Sequence, residues 1–281
     1  MRYGMILPGG SVDEQLDQAT LAEESGWDGV FVWEAAYGVD AWSLLAAMAV
    51  RTTRVTLGTL LTPLPWRRPW KVASQVATVD RLSGGRVVLT VGIGAIMDDL
   101  PLTGEVTELK ERTGRLDEGI DLMRVLWDGG KSYHGRFYDY EAGPLDELSS
   151  MATPSRARIP IWVVGVWPRP KSMNRALRCE GLVPQYAGPW DEARPEDARA
   201  VREWLNVRGG SAIDLVAQGE TPVDDPGIAT DLVVGWAEAG CTWWLETRWE
   251  MPHSVPDRML QVRERLAAGP PSIEHRVAAK C

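Results

Sequence analysis

Two carboxylates of the chain close apolar runs that are predicted to be strands. Glu34 follows Trp33 at the end of an apolar run, and Glu246 ends the run Thr242–Glu246. Burial of a carboxylate beside an indole raises its pKa and makes it a better proton donor near neutral pH. No cation lies close to Glu34 in the sequence, so we expect Glu34, beside Trp33, to be the catalytic acid or base. Pairing of Glu34 with an arginine is the alternative.

Three further polar residues are candidates for contacts with a substrate. Gln185, Glu246 and Arg248 each fall at or just beyond the end of an apolar run. Arg248 can bind an anionic group of a ligand, or it can be the ionic partner of Glu246.

A loop and a glycine are candidates for holding a flat cofactor. Arg169 and Lys171 lie where a predicted helix begins, and free backbone N–H groups with two positive charges favour a phosphate there. Gly92 belongs to a lone GxG, which allows a ligand close to the backbone but does not complete a dinucleotide-binding motif. A solvated basic loop and ordinary turn glycines are the alternatives.

The histidines and cysteines argue against metal and nucleophilic catalysis. His134, His253 and His275 lie in a predicted hairpin, a loop and the tail, so none ends a predicted strand. This placement disfavours metal-dependent hydrolysis and a Ser-His-Asp triad, and we expect no metal site. Three widely spaced cysteines also argue against a disulfide framework.

These candidates are positioned by short β-branched runs that alternate with helical stretches. We predict eight strands, each followed by a helix: Tyr3–Leu7, Gly29–Trp33, Val55–Leu61, Arg86–Gly92, Ile159–Gly165, Leu182–Gln185, Ile213–Gln218 and Thr242–Glu246. Strict alternation predicts a parallel sheet covered on both faces. Eight units favour a closed (β/α)8 TIM barrel, in which chemistry occurs at the carboxyl ends of the strands.

The remaining segments complete the predicted architecture. Residues Ser132–Ala142 are predicted to form a small hairpin inserted between units four and five. No proline- or serine-rich linker divides the chain, so we expect residues 1–281 to form one domain. The chain has 14 Trp but only 2 Phe and 6 Tyr, and we expect most of the tryptophans to be structural.

Composition excludes several classes of partner. The formal net charge is −9 and the sequence pI about 5.0, which argues against binding to nucleic acid or to an anionic membrane. No uninterrupted apolar run approaches the ~20 residues of a membrane span, and the first residues are too short an apolar run for a signal peptide. We therefore expect a cytoplasmic protein.

Several motifs resemble the luciferase-like flavin-dependent monooxygenase family. The most specific is ATVDRLSGGR at residues 77–86. Five further stretches agree and occur in the same order as in the family: residues 25–34, 67–73, 115–119, 160–165 and 242–246. The resemblance implies a (β/α)8 barrel that binds FMN or the 8-hydroxy-5-deazaflavin coenzyme (F420) at its mouth.

The resemblance also assigns positions to the cofactor. It implies a flavin ring near Thr59, Leu60 and Leu61, often against a non-proline cis peptide, with Gly92 close by. It implies a phosphate near Gly165, Trp167 and Lys171, and a homodimer formed through the second and third helices. Many members of the family have a histidine after Trp-Asp or Trp-Glu at the end of the second strand, whereas this chain has Ala35.

Three functions follow from this sequence. The first is an FMN-dependent monooxygenase that uses reduced flavin, supplied by a partner reductase, and oxygen on a small apolar or aromatic substrate. The second is a deazaflavin-dependent reductase or dehydrogenase that transfers hydride. The third is a barrel that binds a flavin or another aromatic ligand without turnover.

Overall fold

The structure is a closed ring of eight parallel strands with a helix after each. The computed structural model describes residues 1–34, 37–95, 104–143, 153–186, 193–248 and 258–271. The strands are β1 (Arg2–Leu7), β2 (Gly29–Val32), β3 (Thr56–Thr59), β4 (Thr62–Pro63), β5 (Val87–Gly92), β6 (Ser132–His134), β7 (Asp139–Glu141), β8 (Ile161–Val166), β9 (Gly181–Gln185), β10 (Asp214–Gly219) and β11 (Trp243–Glu246). The helices are α1 (Val12–Glu24), α2 (Ala41–Arg51), α3 (Pro69–Ser83), α4 (Leu109–Trp127), α5 (Pro170–Ala176), α6 (Pro195–Asn206), α7 (Pro226–Glu238) and α8 (Arg258–Ala267).

Strand pairing closes the ring. β1 pairs with β2 and β11, and the remaining strands follow in the order β10, β9, β8 and β5. The pairing of β3 with β5, through Leu57 and Val87, completes the circle. The predicted TIM barrel is confirmed. The predicted third strand is shorter than expected: β3 ends at Thr59, a cis peptide bond joins Leu60 to Leu61, and the two-residue β4 follows beyond the predicted end.

Three aromatic rings fill the lower part of the barrel. Phe31 stacks on Trp162 with ring centroids 5.5 Å apart, and Trp243 meets both rings edge-on at 5.9 and 5.4 Å. The strands leave room for these rings by placing glycines beside them. A Cβ on Gly181 would lie 2.1 Å from Trp162, and one on Gly4 would lie 2.8 Å from Phe31. Trp162 and Trp243 are therefore structural, as we expect of most of the tryptophans.

The segment that carries the most specific motif links helices to strands. The Arg86 guanidinium donates hydrogen bonds of 2.7–2.9 Å to the carbonyls of Ala49, Thr52, Val55 and Ser83. Asp80 is fully buried, and its carboxylate accepts hydrogen bonds from Ser155 and Arg156. Gly84 ends α3 in the left-handed conformation, at φ 67°, which favours glycine. These residues fix the bottom of the barrel.

The predicted hairpin forms between α4 and β8. β6 and β7 pair antiparallel, with Tyr133 opposite Tyr140. The Glu118 carboxylate of α4 accepts hydrogen bonds from the backbone N–H groups of residues 136–138 at the turn. The hairpin is thereby tied to α4. Within the described residues, none of the helices is both long enough and apolar enough to cross a membrane.

Candidate functional site

The ends of β2, β3 and β5 bring the expected cofactor residues together. Leu60 is 7% exposed and Leu61 is half-buried, and the cis peptide that the resemblance implies joins them. A Cβ on Gly92 would lie 2.8 Å from the Leu61 side chain, so this glycine admits Leu61 at the rim. Trp33 is half-buried at the end of β2. These residues form an apolar surface on which a flat ring can rest.

Thr59 differs from its neighbours at the rim. The whole residue is buried, its hydroxyl donates to the carbonyl of Thr90 at 3.2 Å, and the Thr62 hydroxyl lies 3.1 Å from it. Thr59 therefore supports the rim from below rather than being exposed at it. The prediction that Thr59 contributes to cofactor binding stays a prediction.

Glu34 has an ionic partner that sequence proximity did not reveal. Its side chain is 7% exposed, and Oε1 forms an ion pair with Nη1 of Arg67. Oε2 accepts a hydrogen bond of 2.8 Å from the Thr62 hydroxyl. The turn after β4 returns Arg67 to the end of β2, so Glu34 has a cation beside it in the fold although none lies close to it in the sequence. The ion pair named in the alternative is present, and the catalytic role of Glu34 stays a prediction.

Arg67 is itself held in place. Its Nη2 donates to Oε1 of Gln75 on α3 at 2.7 Å, and its backbone N–H donates to the carbonyl of Leu64. Burial lowers the pKa of Arg67. The residue lies within the motif at residues 67–73, so a signal for it existed, but the motif does not identify Glu34 as its partner.

The loop after β5 is held by two residues that the sequence analysis did not select. Arg112 of α4 is 5% exposed, and its Nη1 donates to the carbonyls of Ile93 and Gly94. Its guanidinium also lies 5.8 Å from the centre of the Trp66 ring. A Cβ on Gly94 would lie 2.2 Å from the same ring. Arg112 and Trp66 thus fix the rim beside Gly92.

The predicted phosphate site lies at the end of β8. Arg169 and Lys171 are exposed, and neither side chain has an ionic or hydrogen-bonding partner among the described residues. Trp167 is half-buried, 6.3 Å from Trp204 between ring centroids, and a cis peptide joins it to Pro168. Gly165 serves packing, because a Cβ there would lie 2.7 Å from Leu182.

The structure brings two of the three predicted substrate residues into contact with each other. Gln185 is exposed at the end of β9. Glu246 is fully buried, accepts two hydrogen bonds from Thr221, and pairs with Arg248 at 3.1 Å. Arg248 also pairs with Glu220 at 2.9 Å. The alternative that Arg248 is the partner of Glu246 is therefore correct, and both side chains are occupied by contacts within the protein.

A cavity of about 570 Å³ lies beside the end of β10. Its walls come from the start of α6, the inner side of α7 and the outer side of the barrel, and include Arg194, Gln218, Glu220, Trp236 and Trp244. The Oε1 atom of Gln218 is buried without a hydrogen-bond partner in the described structure. This space is lined by a different set of residues from the rim around Glu34.

Comparison with curated proteins returns a consistent group. An F420-dependent glucose-6-phosphate dehydrogenase of Mycobacterium avium is 30% identical over 260 residues, which cover 87% of this chain and 73% of that protein. The enzyme of the same name from Nocardia farcinica is 39% identical over 137 residues, 44% of this chain and 41% of the relative. The chain thus aligns with less than half the length of that second relative.

Solved structures show the same fold. The F420-dependent tetrahydromethanopterin reductase of Methanopyrus kandleri superposes with a TM-score of 0.73 at 15% identity, covering 98% of this chain and 99% of that one. The oxygenating constituent of 3,6-diketocamphane monooxygenase from Pseudomonas putida, in complex with FMN, gives 0.69 at 17% identity, covering 95% and 96%.

The family itself follows from the sequence match. The model of the luciferase-like monooxygenases matches residues 2–227, which is well over half of the chain. The resemblance inferred from the motifs is thereby confirmed: the chain belongs to the luciferase-like monooxygenase family.

Proposed function

We propose that the protein is an oxidoreductase that binds a flavin-type cofactor at the barrel mouth, and that this cofactor is the deazaflavin F420. The observation that carries the choice of F420 is the similarity, over 87% of the chain, to a dehydrogenase named for that coenzyme. This reverses the order of the sequence-based expectations, in which FMN stood first. The FMN-dependent monooxygenase, with its partner reductase, is the second candidate.

The residues of the mouth suit such a cofactor. Trp33 and Leu61 supply apolar surface for a tricyclic ring. Gly92 has no side chain and so leaves room for that of Leu61 at the rim. The free cations Arg169 and Lys171 suit a phosphate, which both F420 and FMN carry. Because α5 has only seven residues, these two charges, rather than the helix dipole, carry the phosphate assignment.

The chain's own residues have three tasks in this reaction. F420, when bound, supplies hydride transfer. Trp33, Leu61 and Gly92 orient the ring, and the aromatic cluster of Phe31, Trp162 and Trp243 closes the barrel beneath it. Glu34, fixed by Arg67 and Thr62, is the acid–base group at the rim. The substrate that we propose is a small organic molecule with apolar or aromatic character, because indoles line the mouth.

Ligand titration tests the choice of cofactor. We expect the purified protein to bind F420 with a Kd at least tenfold lower than that of FMN, measured by quenching of ligand fluorescence. Tighter binding of FMN would support the monooxygenase, whereas binding without turnover would support a non-catalytic barrel. Absence of binding for both ligands would refute the assignment of the mouth.

The phosphate assignment has its own test. Replacing Lys171 by Glu should weaken F420 binding about tenfold, equivalent to about 1.4 kcal/mol for a lost charge-assisted contact. Arg51→Glu makes the same change of charge at the far end of α2, where Arg51 lies 3.6 Å from Asp17, and serves as the matched control. Equal effects of the two variants would place the phosphate elsewhere.

We also propose a homodimer, as the family resemblance implies. The apolar residues of α2 contribute little to this proposal, because Leu44, Leu45 and Met48 are buried within one chain and Val50 alone of the four is exposed, at 66%. Light scattering should give twice the 31.0 kDa of a single chain. A particle of one chain's mass would refute the dimer.

A further inference from the structure

A row of hydroxyl groups connects Glu34 to the backbone of β5. The Thr62 hydroxyl lies 2.8 Å from Oε2 of Glu34 and 3.1 Å from the Thr59 hydroxyl. The Thr59 hydroxyl lies 3.2 Å from the carbonyl of Thr90. All three threonines are fully buried, so water does not substitute for these contacts. The row has one carboxylate at one end and one carbonyl acceptor at the other.

The number of hydrogens in this row depends on the state of Glu34. Each hydroxyl carries one hydrogen and donates one bond. When Glu34 is ionised, Thr62 donates to Oε2, and Thr59 donates either to Thr62 or to Thr90, so one contact lacks a hydrogen. When Oε2 is protonated, Glu34 donates to Thr62, Thr62 to Thr59, and Thr59 to the Thr90 carbonyl. All three contacts are then made, in one direction.

Arg67 acts on the other oxygen of the same carboxylate. Its Nη1 pairs with Oε1, which leaves Oε2 as the atom that accepts a proton. Among the described residues, Arg67 is the charged side chain in contact with Glu34, while Thr59, Thr62 and Gln75 around it are neutral. Arg67 therefore favours the ionised carboxylate, and the hydroxyl row accommodates the protonated one.

We infer that Glu34 exchanges a proton at Oε2, that the hydroxyls of Thr62 and Thr59 reverse direction when it does so, and that Arg67 is the positioning residue of this carboxylate. This role rests on the proposed function: F420 would supply the hydride chemistry when bound, and Glu34 would take up at Oε2 the proton that the substrate gives up.

The titration of Glu34 can be followed in the protein without cofactor. Glutamate labelled with ¹³C at the carboxyl carbon gives an NMR signal whose shift reports protonation, and the Glu34 signal is the one missing from Glu34→Gln. We expect this signal to titrate in a single step. Because neither F420 nor FMN is present, failure of cofactor binding would overturn the proposed function and leave this measurement unaffected.

Two variants should move the midpoint of that titration in opposite directions. Thr59→Val removes two contacts of the protonated form but one of the ionised form, so the midpoint should fall by about 0.5 pH units. Arg67→Met removes the ion pair that favours the ionised form, so the midpoint should rise by about one unit or more. Arg67→Lys is the second test if Arg67→Met folds poorly. It retains the charge but not the geometry of the guanidinium, so the midpoint should rise by less than in Arg67→Met.

An exposed threonine provides the control. Thr78→Val on α3 removes a hydroxyl that donates to the carbonyl of Ser74, and it should leave the Glu34 midpoint unchanged. A midpoint that stays constant in Thr59→Val, or rises, would overturn the hydroxyl row. A midpoint that stays constant in both Arg67 variants would overturn the positioning role of Arg67, because a purely structural residue would change stability alone.

Discussion

Gly181 is the position where a single added methyl group should most disturb the barrel interior. In Gly181→Ala, the new Cβ would lie 2.1 Å from Cδ1 and 2.5 Å from Nε1 of Trp162. Ordinary carbon–carbon contacts are about 3.5–4.0 Å, so the indole must move by more than 1 Å. It cannot do so freely, because Phe31 stacks on one side at 5.5 Å and Trp243 lies at 5.4 Å.

The cost of this change is that of an overpacked core. Inserting a methyl group into a well-packed interior typically costs about 1–3 kcal/mol, and the depth of this overlap places Gly181→Ala near 3 kcal/mol. At about 2 °C per kcal/mol for a chain of this size, the midpoint of thermal unfolding should fall by about 6 °C. Differential scanning calorimetry measures the shift, and near-ultraviolet circular dichroism reports the change in tryptophan packing.

Two further variants distinguish overpacking from a general effect of alanine. Gly143→Ala places its methyl group in open space and should shift the midpoint by less than 1 °C. Trp162→Ala removes Cδ1, Nε1 and Cγ, the three atoms nearest the added methyl group, so the double variant Gly181→Ala/Trp162→Ala should be more stable than the sum of the single changes predicts. Simple additivity, or a Gly181→Ala midpoint equal to that of the control, would contradict the assignment of this glycine.

Three other predictions follow from individual contacts. Glu34→Gln leaves Arg67 without its counter-charge and should lower the free energy of unfolding by about 2–3 kcal/mol in urea while also reducing turnover, and a variant of parental stability would contradict the ion pair. Burial would raise the pKa of Glu23, but hydrogen bonds from the backbone of residues 53–55 outweigh it and hold the pKa at about 2. The stabilisation lost in Glu23→Gln should therefore be complete above pH 4.5 and vanish as the pH falls towards 2, and a gap that persists at pH 2 would refute this. Burial raises the pKa of Cys179 to about 11 and that of Cys241 to about 12, so iodoacetamide at pH 8 should modify neither in the native protein, as mass spectrometry of peptides can check.

The sequence allowed the barrel to be predicted because its elements have simple periodicities. Alternating strand and helix patterns gave the eight units, and the hairpin at residues 132–142 followed from its composition. Boundaries were less accurate where local pattern does not decide them. The third strand ends at Thr59 rather than at Leu61.

The ionic partners of charged residues could not be predicted from the sequence in the same way. Glu34 and Arg67 are 33 positions apart and meet only because β3, β4 and the following turn bring them together. Glu246 ends a strand, as predicted, but its side chain faces Thr221 and Arg265 rather than the mouth. Periodicity assigns a residue to an element and a face, whereas ion pairs depend on how loops close over long separations.

The contacts of Arg86 and Asp80 have a consequence for how such chains are classified. Both belong to the stretch by which the family is most readily recognised, yet they join helix ends to strand starts at the opposite end of the barrel from Glu34. A match to this stretch therefore reports the scaffold of a chain, because its charged side chains hold the end of the barrel remote from the candidate site.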